Sequence, residues 1–189
     1  MKHFIKPLLS VSVIFCLGTS IYASGNSSGL SNKSDKAGHA IKVINTAVVD
    51  TFVKKAAQGN LMEMVMGDSA LKRAVSPQVR NFANTMIKDH GAAYQNLQSV
   101  AQTMGIKLPT LPGANYMNEI DALSKLTGNA FDKAYMNLMV KAHQLDLNAY
   151  QAAQKYLPAG PLRDWVEITI PVIQKHLQLA EPINAQLNK

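Results

Sequence analysis

The sequence predicts an all-α protein: a ferritin-like four-helix bundle with a long connection between its second and third helices. Apolar residues recur with the helical period of about 3.6 residues through four long segments, and no segment alternates with the period of a strand. Short turns are predicted between the first two and the last two helices. The connection in the middle is long enough to hold a short helix, and this is the connectivity of ferritin-like bundles.

The first 23 residues have the organisation of a secretory signal peptide. Lys2 and Lys6 give a basic start, an apolar run of roughly ten residues follows, and small residues allow cleavage after Ala23. The run is too short to span a bilayer, so the mature chain would have no transmembrane segment. We therefore expect a periplasmic protein, with association to the outer membrane as an alternative.

Cys16 is the only cysteine of the chain, and it lies within the predicted signal peptide. Lipidation of Cys16 would need a small residue before it, but Phe15 occupies that position, so a protein without a lipid anchor is favoured. The mature chain would contain neither a disulfide nor a thiolate ligand. Any bound metal would be held by nitrogen and oxygen atoms, or by methionine sulfur.

The charge of the chain argues against several classes of function. Cleavage would remove Lys2 and Lys6 and lower the formal net charge from +7 to +5. The remaining basic residues are scattered and lack interleaved aromatic residues, which argues against a nucleic-acid partner and leaves weak attraction to the envelope surface. No serine nucleophile elbow, phosphate loop or dinucleotide fingerprint is present, so the sequence names no reaction and does not decide whether the protein is an enzyme.

Residues 24–45 are rich in Gly, Ser, Asn and Lys and predict a disordered leader before a bundle domain of residues 46–189. The predicted helices cover about 48–74, 77–104, 116–127, 130–157 and 161–187. Ser76 as N-cap, followed by Pro77, is a strong signal for the start of the second long helix. Gly105 is a natural stop for it.

Four polar side chains interrupt the apolar stripes of the four long helices, one on each helix: Glu63, His90, His143 and His176. Each lies near the middle of its helix, so the four can share one layer of the bundle. A carboxylate and three imidazoles at one depth form a ligand set for a divalent transition metal. Zinc is favoured, with copper, iron or manganese as alternatives.

The same four residues could instead form a buried polar network without an ion, in which the imidazoles hydrogen-bond to Glu63. The bundle would then be a metal-free structural or interaction module of the cell envelope. Asp146, three residues after His143, could orient an imidazole or act as a further ligand. Asp89 adjoins His90 but points about 100° further round the helix, and it would orient a neighbour or meet solvent.

Methionines lie close to three of these positions: Met62, Met64, Met66, Met86 and Met139. Thioethers would suit Cu(I) in an exported protein without cysteine. Methionine is also a common filler of bundle cores, and we favour core packing for all five.

Several short pieces of the chain carry a resemblance to a known family: 52–63, 82–90, Leu108-Pro109, Phe131-Asp132 with Tyr135, His143, and 171–177. The stretch from Phe52 to about Leu187 resembles the bacterial domain-of-unknown-function family 4142, whose members are labelled outer-membrane or ferritin-like proteins. The resemblance implies an exported ferritin-like bundle and no established reaction. The paired Glu-x-x-His motifs of di-iron proteins are missing, since His143-x-x-Asp146 is the nearest approach, so a mononuclear site is favoured.

Overall fold

The computed structural model describes residues 33–189, with side chains from residue 46 onward. This part of the chain forms five helices and no strand, as the all-α prediction requires: α1 Lys33–Arg73, α2 Pro77–Thr103, α3 Ala114–Ser124, α4 Gly128–Tyr156 and α5 Pro161–Leu187. The predicted signal peptide, 1–23, and the first part of the predicted leader lie outside the described residues. Among residues 46–189, no helix is long and apolar enough to cross a membrane.

The helix ends follow the capping signals of the sequence. The Ser76 hydroxyl accepts a hydrogen bond from the Val79 backbone N–H at 3.5 Å, and Pro77 opens α2 as predicted. Gly105 follows α2 with φ +68°, a conformation that favours glycine. In contrast, α1 begins well before the predicted start near residue 48, because residues 33–47 contain no proline and include good helix formers such as alanine and lysine.

The four long helices pack in a ring. Helices α1 and α2 pack against each other, as do α4 and α5, and contacts between α2 and α5 and between α1 and α4 close the ring. The short helix α3 lies in the connection from α2 to α4 and contacts α1 and α4. A buried carboxylate ties the α1–α2 turn to α4, since the Ser76 backbone N–H donates to Asp132 Oδ2 at 2.8 Å.

The apolar core is divided into two sections, and each long helix contributes to both. The first section is built around Met66, Phe82 and Tyr135, and it also holds Met62, Met86 and Met139. The second section is built around Phe52, Leu97 and Trp165. The four predicted site residues lie at or near the point where each long helix passes from one section to the other, so a polar layer lies between the two apolar sections.

Helices α1 and α2 approach closely at Gly67. A Cβ added there would lie 2.8 Å from Ile87 Cγ1 and 3.1 Å from the Ala83 carbonyl oxygen. The second contact is with backbone, which cannot move aside as a flexible side chain can. Glycine at this position therefore sets the distance between the first two helices.

We predict that Gly67→Ala destabilises the protein. Overpacking costs about 1–3 kcal/mol, and it outweighs the gain of about 1 kcal/mol in helix propensity. Gly59→Ala is the matched control, because its added Cβ would meet only the Tyr116 hydroxyl, at 3.8 Å. The control should be neutral or up to about 1 kcal/mol more stable. Urea unfolding measures both, and equal stability of the two variants would contradict this account of the helix contact.

Candidate metal centre

The polar layer brings the four predicted residues together from four helices. Their exposed fractions are 1% for Glu63 on α1, 6% for His90 on α2, and 0% for both His143 on α4 and His176 on α5. One nitrogen from each of the three imidazoles lies within 4.8 Å of the others. The three buried histidines therefore form a cluster that could hold a metal ion.

Each imidazole uses one nitrogen to contact an oxygen acceptor at the edge of the cluster. His143 Nδ1 lies 2.9 Å from the Met139 carbonyl oxygen, which can only accept, so the proton of His143 is on Nδ1. His176 Nε2 lies 3.1 Å from Asp89 Oδ2. Both rings are thereby held in one tautomer by an outer partner.

His90 is held in the same way, by two acceptors on α1. Its Nδ1 lies 2.8 Å from Glu63 Oε2 and 3.0 Å from Asn60 Oδ1. The Asn60 amide nitrogen donates to the Ala56 carbonyl oxygen at 2.8 Å, which turns the amide oxygen toward the ring. Asn60 was not predicted from the sequence, although it lies three residues before Glu63 on the same helix face and is equally polar among apolar neighbours.

The remaining nitrogens of the three rings face one another. His90 Nε2 lies 3.4 Å from His143 Nε2, and His143 Nε2 lies 3.1 Å from His176 Nδ1. Since the opposite nitrogen of each ring contacts an oxygen acceptor, a neutral ring presents a lone pair here rather than a hydrogen. Three nitrogen lone pairs, which can coordinate a metal ion, therefore converge at the centre of the cluster.

Glu63 lies on the outer side of two imidazoles rather than among the facing nitrogens. Its Oε2 contacts His90 Nδ1, and its Oε1 lies 3.3 Å from His143 Nδ1, whose proton is directed to the Met139 carbonyl oxygen. Glu63 Oε1 therefore has no hydrogen-bond partner among the described residues.

The electrostatics favour an ionised Glu63. Burial opposes its charge, but the attraction of His90 and His143 outweighs burial and lowers the pKa of Glu63 to about 2. Burial likewise opposes a charge on His90, yet neighbouring Glu63 raises the pKa of His90. Burial lowers the pKa of His143, and burial with repulsion from His90 lowers the pKa of His176 to about 4. Of the three imidazoles, His90 is therefore the one whose protonation its surroundings favour.

The two candidate supporting carboxylates lie on different sides of the layer. Asp89 is the partner of His176, and its side chain is 27% exposed. Asp146 makes no hydrogen bond to the four predicted residues and instead lines a small cavity beside α3. Burial, with repulsion from Glu63, raises the pKa of Asp146 to about 8.

We predict that Asp146 makes the metal-free protein less stable as the pH rises from about 4 to about 8. In this window the folded state keeps a proton that the unfolded chain has released, so raising the pH favours unfolding. Asp146→Asn should remove this pH-dependent loss of stability. The variant should therefore become increasingly more stable than the wild type as the pH approaches 8. The measurement is urea unfolding with EDTA across the window. Asp121→Asn, at an exposed carboxylate on α3, is the control, and parallel curves for Asp146→Asn and wild type would contradict the prediction.

Comparison with known proteins places this fold in a family. A family model described as Domain of unknown function (DUF4142) matches residues 36–183. The crystal structure of a DUF305 protein from Streptomyces coelicolor, assigned as secreted, is similar with a TM-score of 0.62 and 13% identity. The similarity covers 72% of this chain and 91% of that chain, and at this identity it shows a shared fold. No curated protein matches the chain. Since the family model spans most of the chain, including the whole polar layer, the protein belongs to the DUF4142 family.

Proposed function

We propose that the protein is an exported helical bundle that binds one divalent transition metal ion through His90, His143 and His176. The observation that carries this proposal is the convergence of three buried ring nitrogens, at 3.4 and 3.1 Å, while the opposite nitrogen of each ring contacts an oxygen. Zinc is the favoured ion, and copper, iron and manganese are the alternatives.

The distances between the nitrogens support the proposal. Ligands bound tetrahedrally to zinc at about 2.0–2.1 Å lie roughly 3.3–3.4 Å from one another. Two of the three separations are close to this value, and all three nitrogens lie within 4.8 Å of one another, so modest side-chain movement would bring them around one ion. Three neutral imidazoles would also leave at least one coordination position for water or another ligand, as in catalytic rather than structural zinc sites.

The outer partners of the imidazoles fit a divalent cation as well. Glu63 and Asp89 would together balance a charge of +2 without taking part in coordination. Glu63 was included among the ligands on the basis of sequence. Its position beside Nδ1 of His90 leads us to propose that it orients that ring and supplies negative charge, as carboxylates often do around metal-bound histidines.

A metal-free polar network is the alternative, and the Glu63–His90 contact favours it. A proton added to His90 would be stabilised by Glu63 and could be donated to His143 Nε2. One such proton fills only one of the two short nitrogen–nitrogen contacts. The contact of 3.1 Å between His143 and His176 would still join two acceptors, whereas a single metal ion would satisfy all three nitrogens.

We also propose that the helices have ferritin-like connectivity. Along α2 the chain passes from the first core section to the second, and along α4 it passes again from the first to the second. The connection of residues 104–127 must therefore return along the length of the bundle, which is how a crossover joins two parallel helices. The contacts of α3 with α1 and α4 support this course.

We predict that metal raises the thermal stability of the protein and that His176→Ala removes most of this effect. Binding should stabilise the wild type by roughly 3–4 kcal/mol when the ion is at hundreds to a thousand times its Kd. The measurement is thermal melting of the wild type and the variant, each with EDTA and with excess zinc, copper, iron or manganese.

Leu177→Ala is the matched control for this experiment, because it also opens a cavity in α5 but removes no candidate ligand. This control should melt at a lower temperature while keeping the full metal-dependent shift. His176→Ala destabilises under either interpretation, since it leaves buried polar groups without a partner. The metal-dependent shift of the wild type is therefore decisive, and its absence with all four ions would leave the polar network as the explanation.

Export to the periplasm is the last part of the proposed function, and it has its own test. The sequence of residues 1–23 and the similarity to a protein assigned as secreted support it. We predict that protein isolated from the cell envelope begins near Ser24, because Ala23 directly before it is a small residue that suits signal peptidase. Intact-mass measurement shows this directly. A retained Met1, or the added mass of a lipid on Cys16, would overturn the assignment.

A further inference from the structure

A cavity of about 30 Å³ lies between α1, α3 and α4, beside the polar layer. Its walls include the polar side chains of Tyr116, Glu119, Lys141 and Asp146. Glu119 Oε2 is buried and has no hydrogen-bond partner among the described residues. A space of this size holds one or two water molecules. Most of the lining is apolar, but the unpaired Glu119 oxygen and the other polar side chains offer hydrogen-bond partners to such a water.

The cavity adjoins the histidine cluster on the side of α1 and α4. Its lining includes Met62 and Ala142, the chain neighbours of Glu63 and His143. Tyr150 lies one turn after Asp146 on α4 and is buried.

Polar groups continue from the cavity wall to the His90 ring. The Tyr150 hydroxyl lies beside the Asn60 side chain, and burial together with the nearby Asp146 carboxylate raises the pKa of Tyr150. The Asn60 amide oxygen lies 3.0 Å from His90 Nδ1. Asp146, Tyr150 and Asn60 are thus polar groups that lie between the cavity and the His90 ring.

We propose that this cavity is the solvent inlet of the histidine site, in which ordered water connects Asp146, Tyr150 and Asn60 to the His90 ring. The inlet deepens the proposed function, because an ion that reaches the buried imidazoles must give up bound water and displace any proton on the facing nitrogens, and both must pass to the solvent. Each exchange replaces one ring hydrogen with one from solvent, so no other reactant is needed.

The inlet also gives α3 a role. This short helix has a single fully buried residue, Leu123, and packs mainly through its face toward α1 and α4. The same face supplies Tyr116 and Glu119 to the cavity, and the Tyr116 hydroxyl lies against α1 beside Gly59. Helix α3 thus forms the outer wall of the cavity.

The competing entry route is on the opposite side of the layer, along the partly exposed carboxylate of Asp89. The two routes differ in the residues that control exchange. If solvent entered beside Asp89, filling the cavity under α3 would leave exchange at the histidines unchanged.

The test measures hydrogen exchange of the His90 ring N–H by NMR in the metal-free protein, which separates the inlet from metal binding. Ala142→Leu fills the cavity with apolar atoms, and Asp146→Asn removes the ionisable group with little change of shape. Both should slow exchange by about tenfold or more, since a positioned proton-transfer group accelerates such steps by roughly a hundredfold or more. The control is Ala134→Leu, the same substitution two turns earlier on α4 and away from the cavity wall. In this variant the His90 ring N–H should exchange at the wild-type rate.

Wild-type exchange rates in folded Ala142→Leu and Asp146→Asn would overturn the inlet. The inlet would also be overturned if the His90 ring N–H exchanged only through global unfolding in the wild type and in all the variants. Thermal melting verifies that each variant is folded before its rate is interpreted. A separate titration of the same proteins with zinc reports on the proposed function, so either proposal can fail while the other stands.

Discussion

The structure depends on the burial of a carboxylate beside a cluster of three imidazoles in the middle of a helical bundle. An ionised Glu63 without partners would be strongly destabilising in this environment. It is tolerated because His90 contacts it directly. The Asn60 amide oxygen is a second acceptor for the same ring nitrogen and helps to fix the orientation of that ring. The rings of His143 and His176 have their own oxygen partners. Contacts at the edges of the layer therefore fix the three rings, and only ring nitrogens face its centre.

The edges of the layer differ from one another in a way that matters for its chemistry. Glu63 is enclosed, and Asp89 is partly exposed to solvent. Asp146 lies further out, beside a small cavity. A cation at the centre would be surrounded by fixed negative charge on opposite sides, and neither nearby carboxylate would need to leave its imidazole. The two carboxylates would thus fix the orientation of the rings and supply negative charge near the ion, which is the usual role of outer partners around a metal.

Much of this arrangement could be predicted from the sequence, and the reasons are local. Ser76 with Pro77 and Gly105 mark the ends of α2 through backbone chemistry that acts within one turn of a helix. The four polar residues were found because each breaks an apolar stripe, which is a property of one helix at a time. The role of Glu63 depends instead on which imidazole nitrogen faces it, and this is decided by packing between helices. The long N-terminal part of α1 was also missed, because composition describes a tendency toward disorder and not whether a helix continues.

The division of the core has a consequence for how the protein unfolds. Every long helix passes through both apolar sections, so neither section is built from a continuous piece of chain that could be stable alone. Loss of one section would leave the same four helices half packed, and short isolated helices are marginal in water. The two sections should therefore melt as one cooperative unit, although a polar layer separates them. An ion or a proton in that layer would act on the whole bundle at once.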